Sequence, residues 1–464
     1  KLKNYISENR TPVLASGVID TQKCHLIAGL SSESESSTLV ITNSELKAKE
    51  IYSDLKFFMK DKVMLYPSKD VIFYWADVKS LDIIKQRFEI ISKIINNEKI
   101  TVVLSAEALF DKLVPLDVFK EFIFDINVGD RIDINKMSHD LVLMGYERCD
   151  MVEGQGQFAM RGGIIDIYSS VSDHPVRIEL WDDEVDSIRI LDTVSQRSVE
   201  NAKSVRIYPM RELVYHNEDV EKAIENIKSE LKSIKNPTDQ LKISVEEAAE
   251  KLKAMRSFSG VEKYVTYFYE NTCTLIDYFD NPLIFADEPN RIAEHCEFIT
   301  KEFVNSIESR IDKGAMLPGQ LKMIYTYDDI ISTVEKGRSV LMTSLMTTIK
   351  DYKPKELVDF QVKATALVKN DMDLIAEDLG YLAKKDYKII FLAGGHTHCE
   401  RMLTELHERN LKAVYLENID NHELEKGIIY ITRGSLSHGF EYIRDKFAVV
   451  SEKDAFSDDK KNKR

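Results

Sequence analysis

Apolar and polar residues alternate with a period of two in three short stretches of the segment 151–213, a pattern that predicts antiparallel strands with one buried face. In the first stretch Phe158 and Met160 face one way, while Gln157, Ala159 and Arg161 face the other. Gly162-Gly163 then permits a sharp turn or bulge where a side chain would clash. In the second, Val176, Ile178 and Leu180 form the core side, and Arg177, Glu179 and Trp181 lie outside. The acidic turn Asp182-Asp183-Glu184 leads to a third stretch in which Ile188 and Ile190 point in and Arg189 points out. A helix near 135–144 is predicted ahead of these strands.

On either side of that segment the periodicity changes. Residues 37–42 read as a buried strand, and Ser44 as the N-cap of a helix whose Ala48, Ile51, Tyr52, Leu55 and Phe58 recur at helical spacing. A strand at 63–66, a helix at 81–95 and a strand at 100–104 follow, so strands alternate with helices and a parallel sheet is expected. Beyond 206 come charged helices at 220–231 and 245–255, then an apolar strand at 283–286 closed by Asp287-Glu288. After a linker near 350–355, strands at 389–393, 413–416, 428–432 and 447–450 surround a helix at 397–409. The expected division is 1–118, 119–205, 206–346, 355–451 and a tail at 452–464, of which 457–464 reads as a disordered linker.

Length and composition narrow the class. A chain of 464 residues is too long for one core, and three or four domains are expected. Beginning at Lys1, it reads as part of a longer protein. No apolar run approaches the ~18 residues of a membrane span, and no signal-peptide pattern opens the chain. Five dispersed cysteines without a CxxC pair suggest reduced thiols in a cytoplasm and no zinc site. A net charge of −15 works against broad nucleic-acid binding.

Three groups of residues carry candidate chemistry. Arg161, Arg177, Arg189 and Trp181 share the outward strand face, and Arg and Trp are enriched at interface hot spots. The frame Gly17-Val18-Ile19-Asp20-Thr21-Gln22-Lys23-Cys24, expected ahead of the first core strand, can be laid on G-x-x-x-x-G-K-[ST], whose backbone amides cradle phosphate. Lys23 keeps its place, but Gln22 replaces the second glycine, Asp20 adds a negative charge and Cys24 replaces the magnesium-binding hydroxyl. Phosphate binding is therefore expected to be lost, and Asp287-Glu288 to serve only as a strand-end N-cap. Finally, Gly394-Gly395-His396-Thr397-His398-Cys399 lacks the Lys-[ST] pair, and its ligands are too tightly spaced for one metal ion. It is expected to be a strand-to-helix turn.

QFAMRGGIIDIY, VRIELWDDEVDSIR and the Gln-Arg-Ser segment resemble the second domain shared by the nucleotide-excision-repair protein UvrB and the transcription-repair coupling factor Mfd. In that family the domain binds UvrA. UvrB-like proteins also carry a Tyr-rich hairpin that wedges DNA; here Tyr66, Phe73, Tyr74 and Trp75 run into the 81–95 helix without one. Loss of both hairpin and phosphate loop favours Mfd, whose N-terminal portion the whole chain resembles. The alternative is a UvrB-like, damage-recognising ATPase.

The resemblance implies a degenerate P-loop/RecA-like parallel sheet in two halves, an inserted antiparallel α+β UvrA-binding domain and a small C-terminal α/β domain. It implies UvrA contacts at Arg161, Arg177 and Trp181, edged by Glu179 and Arg189, in a non-catalytic module without a cofactor. ATP, magnesium, DNA and RNA polymerase would enter only through downstream domains, one of which would mask the UvrA face.

Overall fold

Runs such as Leu39-Val40-Ile41 and Leu283-Ile284-Phe285-Ala286 have no polar face, as strands covered on both sides require. The computed structural model describes residues 1–69, 81–193, 195, 197–254, 260–365, 370–420 and 422–456. The aromatics Phe73, Tyr74 and Trp75, Gln196 and the tail 457–464 lie outside the described residues. In chain order the strands are β1 (Val13–Ser16), β2 (Thr38–Thr42), β3 (Val63–Tyr66) and β4 (Thr101–Ser105). Then come β5 (Phe124–Asn127), β6 (Glu147–Arg148), β7 (Gln157–Arg161), β8 (Ile164–Ile167), β9 (Val176–Trp181), β10 (Glu184–Leu191), β11 (Ser198–Ala202) and β12 (Ser204–Ile207). The third group is β13 (Leu283–Asp287), β14 (Arg338–Thr343) and β15 (Glu356–Asp359), and the last is β16 (Val362–Ala364), β17 (Lys388–Ala393), β18 (Ala413–Tyr415), β19 (Ile429–Arg433), β20 (Phe440–Tyr442) and β21 (Phe447–Ser451).

The first sheet is parallel throughout, in the order β15-β1-β14-β13-β2-β4-β3. Its residues alternate between two cores. Val40, Val103, Phe285 and Val340 join Ile27 and Leu55 from the helices Asp20–Glu33 and Glu45–Met59. Leu39, Ile41, Val102, Ile284 and Leu341 join the larger core on the other face. Ser44 caps the second of those helices, accepting from the Lys47 amide. The chain is thus mixed α/β, with a parallel sheet completed by strands from both sides of the segment 151–213.

That segment forms a second sheet, ordered β11-β10-β9-β8-β7-β6 and antiparallel except at β6–β7. Phe158, Ile165, Ile167, Ile178 and Ile188 are buried in it beside Met137 and Leu141 of the helix Ile134–Leu143. Three expectations fail locally: Ala159 is buried although it faces outward, and Leu180 and Ile190 are only half-buried. A short pairing of β12 with β5 closes the base of this unit. The last sheet, β16-β20-β21-β17-β19-β18, is mixed.

Several elements differ from the sequence reading. The frame Gly17–Cys24 follows a core strand instead of preceding one, because β1 is a four-residue strand too short to show periodicity. Glu356–Asp359, counted with the last unit, pairs with β1 and extends the first sheet. The helix Met372–Lys384 and the three-residue strands β16 and β20 went unread.

Segments from both sides of the antiparallel unit meet at Arg87, whose side chain on the helix Leu81–Ile95 is fully buried. Its Nε and Nη2 donate to Glu212 at 2.5 and 3.1 Å, and its Nη1 donates to the Pro67 carbonyl at 3.0 Å. Nη2 also lies 2.7 Å from Asp111, and the guanidinium sits 4.2 Å from the centre of the Tyr66 ring. Lys69 brings Glu212 a second cation. Burial alone would raise the Glu212 pKa, but Arg87 and Lys69 bring it from its ordinary 4.5 to about 2.

Removing Arg87 takes a cation from buried Asp111 and leaves buried Glu212 with Lys69 alone, so Arg87→Met should lose about 3–5 kcal/mol of stability. Because the folded Glu212 pKa is depressed, its contribution is complete above its ordinary value and is lost as pH falls from there toward about 2. Urea unfolding at neutral pH and near pH ~3 should therefore show a shallower acid loss in Glu212→Gln than in the unchanged chain. Equal losses in both would break the link to Glu212.

Candidate interaction face and an occupied loop

Strand register decides what the outward arginines meet. β8 and β9 pair Asp166 with Arg177, and β9 and β10 pair Arg177 with Arg189, so these side chains share one face. The Asp166 side chain is only 1% exposed. Arg177 donates from Nε and Nη2 to its two oxygens at 2.7 and 2.9 Å, and Arg161 donates from Nη2 at 3.1 Å. The hydrogen bonds to Asp166 raise the Arg177 pKa against the opposing effect of burial. Alongside, Arg189 pairs with Glu179 at 2.9 Å, and Ser187 donates its hydroxyl to the same carboxylate. Trp181 ends β9 with 81% of its surface exposed, beside the turn where Asp182 takes φ 60°.

All five predicted face residues are therefore brought together. Their chemistry differs from the reading in one respect. The guanidinium forks, expected to be free for carboxylates of a partner, are engaged by carboxylates of this chain. Asp166 was missed. Its signal is a lone acid inside the apolar run Ile164-Ile165-Asp166-Ile167, but only the register shows that it faces two arginines.

The frame Gly17–Cys24 occupies the turn from β1 into the helix Asp20–Glu33. Gly17 adopts φ +74°, and a Cβ there would collide with the Phe360 carbonyl, where the chain leaves β15. Lys23 is buried and donates to Asp287 and Glu288, both at 2.7 Å. Burial would lower its pKa, but the two acids raise it on balance. Glu288 holds the N-cap position of the helix Pro289–Asp312 without capping it; its side chain accepts instead from Lys23 and from the amide and hydroxyl of Ser344. That corrects the expected strand-end cap. Cys24 is buried, and its thiol is pushed well up by burial and by Asp54.

The neighbouring side chains reach the last unit. Gln22, fully buried, accepts from the Ile19 amide at 3.3 Å and donates to the Tyr442 hydroxyl at 2.9 Å. His25 Nδ1 lies 2.9 Å from the same hydroxyl, with its ring among Phe58, Phe440 and Phe447. Thr21 meets Ser437 at 3.0 Å, and Asp54 accepts from the Ser437 amide at 2.8 Å. Farther off, the turn at Gly394–His396 sits against Glu452, which accepts from the Gly394 amide at 2.7 Å and lies 2.6 Å from His398 Nδ1. Cys399 is buried, and its thiol is pushed up by burial and by Glu452. Among the described residues no group of three or more His, Cys, Asp or Glu is placed to hold a metal ion, and no helix is long and apolar enough to cross a membrane.

Comparison with known proteins bears on both regions. Residues 124–213 match the UvrB interaction domain family, and residues 381–454 match the Mfd D3 domain family. The chain is similar to transcription-repair-coupling factors of Bacillus subtilis (strain 168), at 30% identity over 99% of this chain, and of Staphylococcus haemolyticus, at 30% over 97%. One from Staphylococcus epidermidis is 28% identical over 100% of the chain. The chain spans 39% of the length of the first two and 40% of the third. The family resemblance read from the sequence therefore holds for the portion of those proteins that this chain covers.

The stability expectation for the face changes with Asp166. Arg177→Ala strips a buried carboxylate of its two-bonded partner and should cost about 2 kcal/mol. Trp181→Ala removes an exposed ring and should stay within about 0.5 kcal/mol. Thermal unfolding of both variants checks this; matching midpoints would mean that Asp166 does not depend on Arg177.

Proposed function

We propose that this chain, a relative of the transcription-repair-coupling factors, is their UvrA-recruiting module, bringing excision repair to a stalled transcription complex in the cytoplasm. The single observation that carries the reading is the face on β7–β10, where the Trp181 indole stands 81% exposed on the strand that carries Arg177, itself held by Asp166. It lies within the region that matches the UvrB interaction domain. Exposing a large ring has no folding benefit, and Trp with Arg at its side is the composition of a docking hot spot.

The module is non-catalytic and needs no cofactor. Its first sheet is a RecA-like sheet in two halves with the docking domain inserted between them, and its phosphate loop is converted to structural use. The ion pairing of Lys23 with Asp287 and Glu288 supports this, since phosphate would have to compete with a buried and a half-buried carboxylate for that ammonium. The Phe360 backbone against Gly17 supports it as well. Contacts with DNA and RNA polymerase belong to segments of the relatives outside this chain's span.

Titration with UvrA tests the reading. Arg161→Ala and Trp181→Ala should each weaken binding roughly thirtyfold, about 2 kcal/mol, with the thermal midpoint unchanged in Trp181→Ala and lowered less in Arg161→Ala than in Arg177→Ala. Intact binding in both would sink the docking face. ATP should show no saturable binding at micromolar concentration, whereas binding abolished by Lys23→Ala would favour a UvrB-like ATPase.

A further inference from the structure

We propose that Asp166 is the positioning residue of this face, its buried carboxylate setting Arg161 and Arg177 in their docking geometry before the partner arrives. The inference rests on the reading that the face binds UvrA. β8 runs between β7 and β9, and the two arginines reach Asp166 from the strands on either side. A carboxylate this buried must be paired, so the contacts are obligatory in the folded chain. Free arginines on a surface lose rotamer freedom when a partner fixes them. Arginines already fixed lose little, and that difference appears as affinity.

The two arginines then divide the work. Arg177 is 22% exposed and spends two donors on Asp166, which makes it a strut. Arg161 is 54% exposed and uses only Nη2, so its Nε and Nη1 remain for the partner. Two guanidinium groups against one carboxylate leave a single net positive charge, while Arg189 is balanced by Glu179. Such a face fits a partner surface with an apolar hollow for Trp181 and one acceptor group for Arg161. It does not fit a cluster of carboxylates, for which three free arginines would be needed.

Asp166→Asn keeps the shape and removes the charge. In this chain, titrated with UvrA, it should weaken binding about tenfold while the protein stays folded. Combined with Arg161→Ala, the losses should fall well short of multiplying, because Asp166 acts partly through Arg161. Losses that multiply fully would assign Asp166 a structural role only and overturn the inference. So would undiminished binding by Asp166→Asn while Arg161→Ala and Trp181→Ala both bind weakly, a result that leaves the docking reading standing. If those two variants bind normally, the docking reading fails and the inference with it. Should Asp166→Asn not fold, Arg177→Lys tests the same strut, since it keeps the charge but cannot make the two-bonded fork. It should also weaken binding, and unchanged affinity overturns the proposal.

Discussion

A guanidinium with no access to water holds the larger part of this molecule in register. Arg87 cannot be left unpaired, because desolvating an ion without a partner costs more than a domain of this kind can lose. Its partners arrive from separate parts of the chain: Asp111 from beyond β4, Glu212 from beyond β12, and the Pro67 carbonyl and Tyr66 ring from the end of β3. These segments, which flank the antiparallel unit in the chain, converge beside the apolar core that the parallel sheet shares with it. The ion pairs add direction to a hydrophobic contact that by itself has none.

The same constraint recurs at two smaller sites. At Lys23 a buried ammonium takes the two acids at the end of β13, and at Asp166 a buried carboxylate takes two arginines. Around Lys23 the side chains of this loop have acquired partners: Gln22, in place of the second glycine, bonds Tyr442, and its neighbour Thr21 meets Ser437. Burial lowers the pKa of His25 and pushes Tyr442 up to about 12, so both stay neutral at this contact near neutral pH. This loop thus joins the first sheet to the last unit.

At the outward face the arrangement separates rigidity from exposure. Asp166 and Glu179 restrain the arginines beneath and beside the tip of β9, while Trp181 remains open to solvent. For the proposed docking, a face prepared in this way would lower the ordering cost without hiding its largest apolar group.

Periodicity alone located the strands β7, β9 and β10, the helices Glu45–Met59 and Leu81–Ile95, and the exposure of Trp181, because alternation and helical spacing are properties of neighbouring residues. The departures at Gln22 and Cys24 were equally plain, since a motif is a local pattern. Elements too short to show a period were not: β1 and β15 gain their identity from pairing with each other and with β14. Nor could the sequence show that Arg177 meets Asp166, that Lys23 meets Asp287, or that Arg87 meets Glu212. Each pair joins positions on different elements, and the choice of partner was made by strand register and by the exclusion of water, which exist only once the chain has folded.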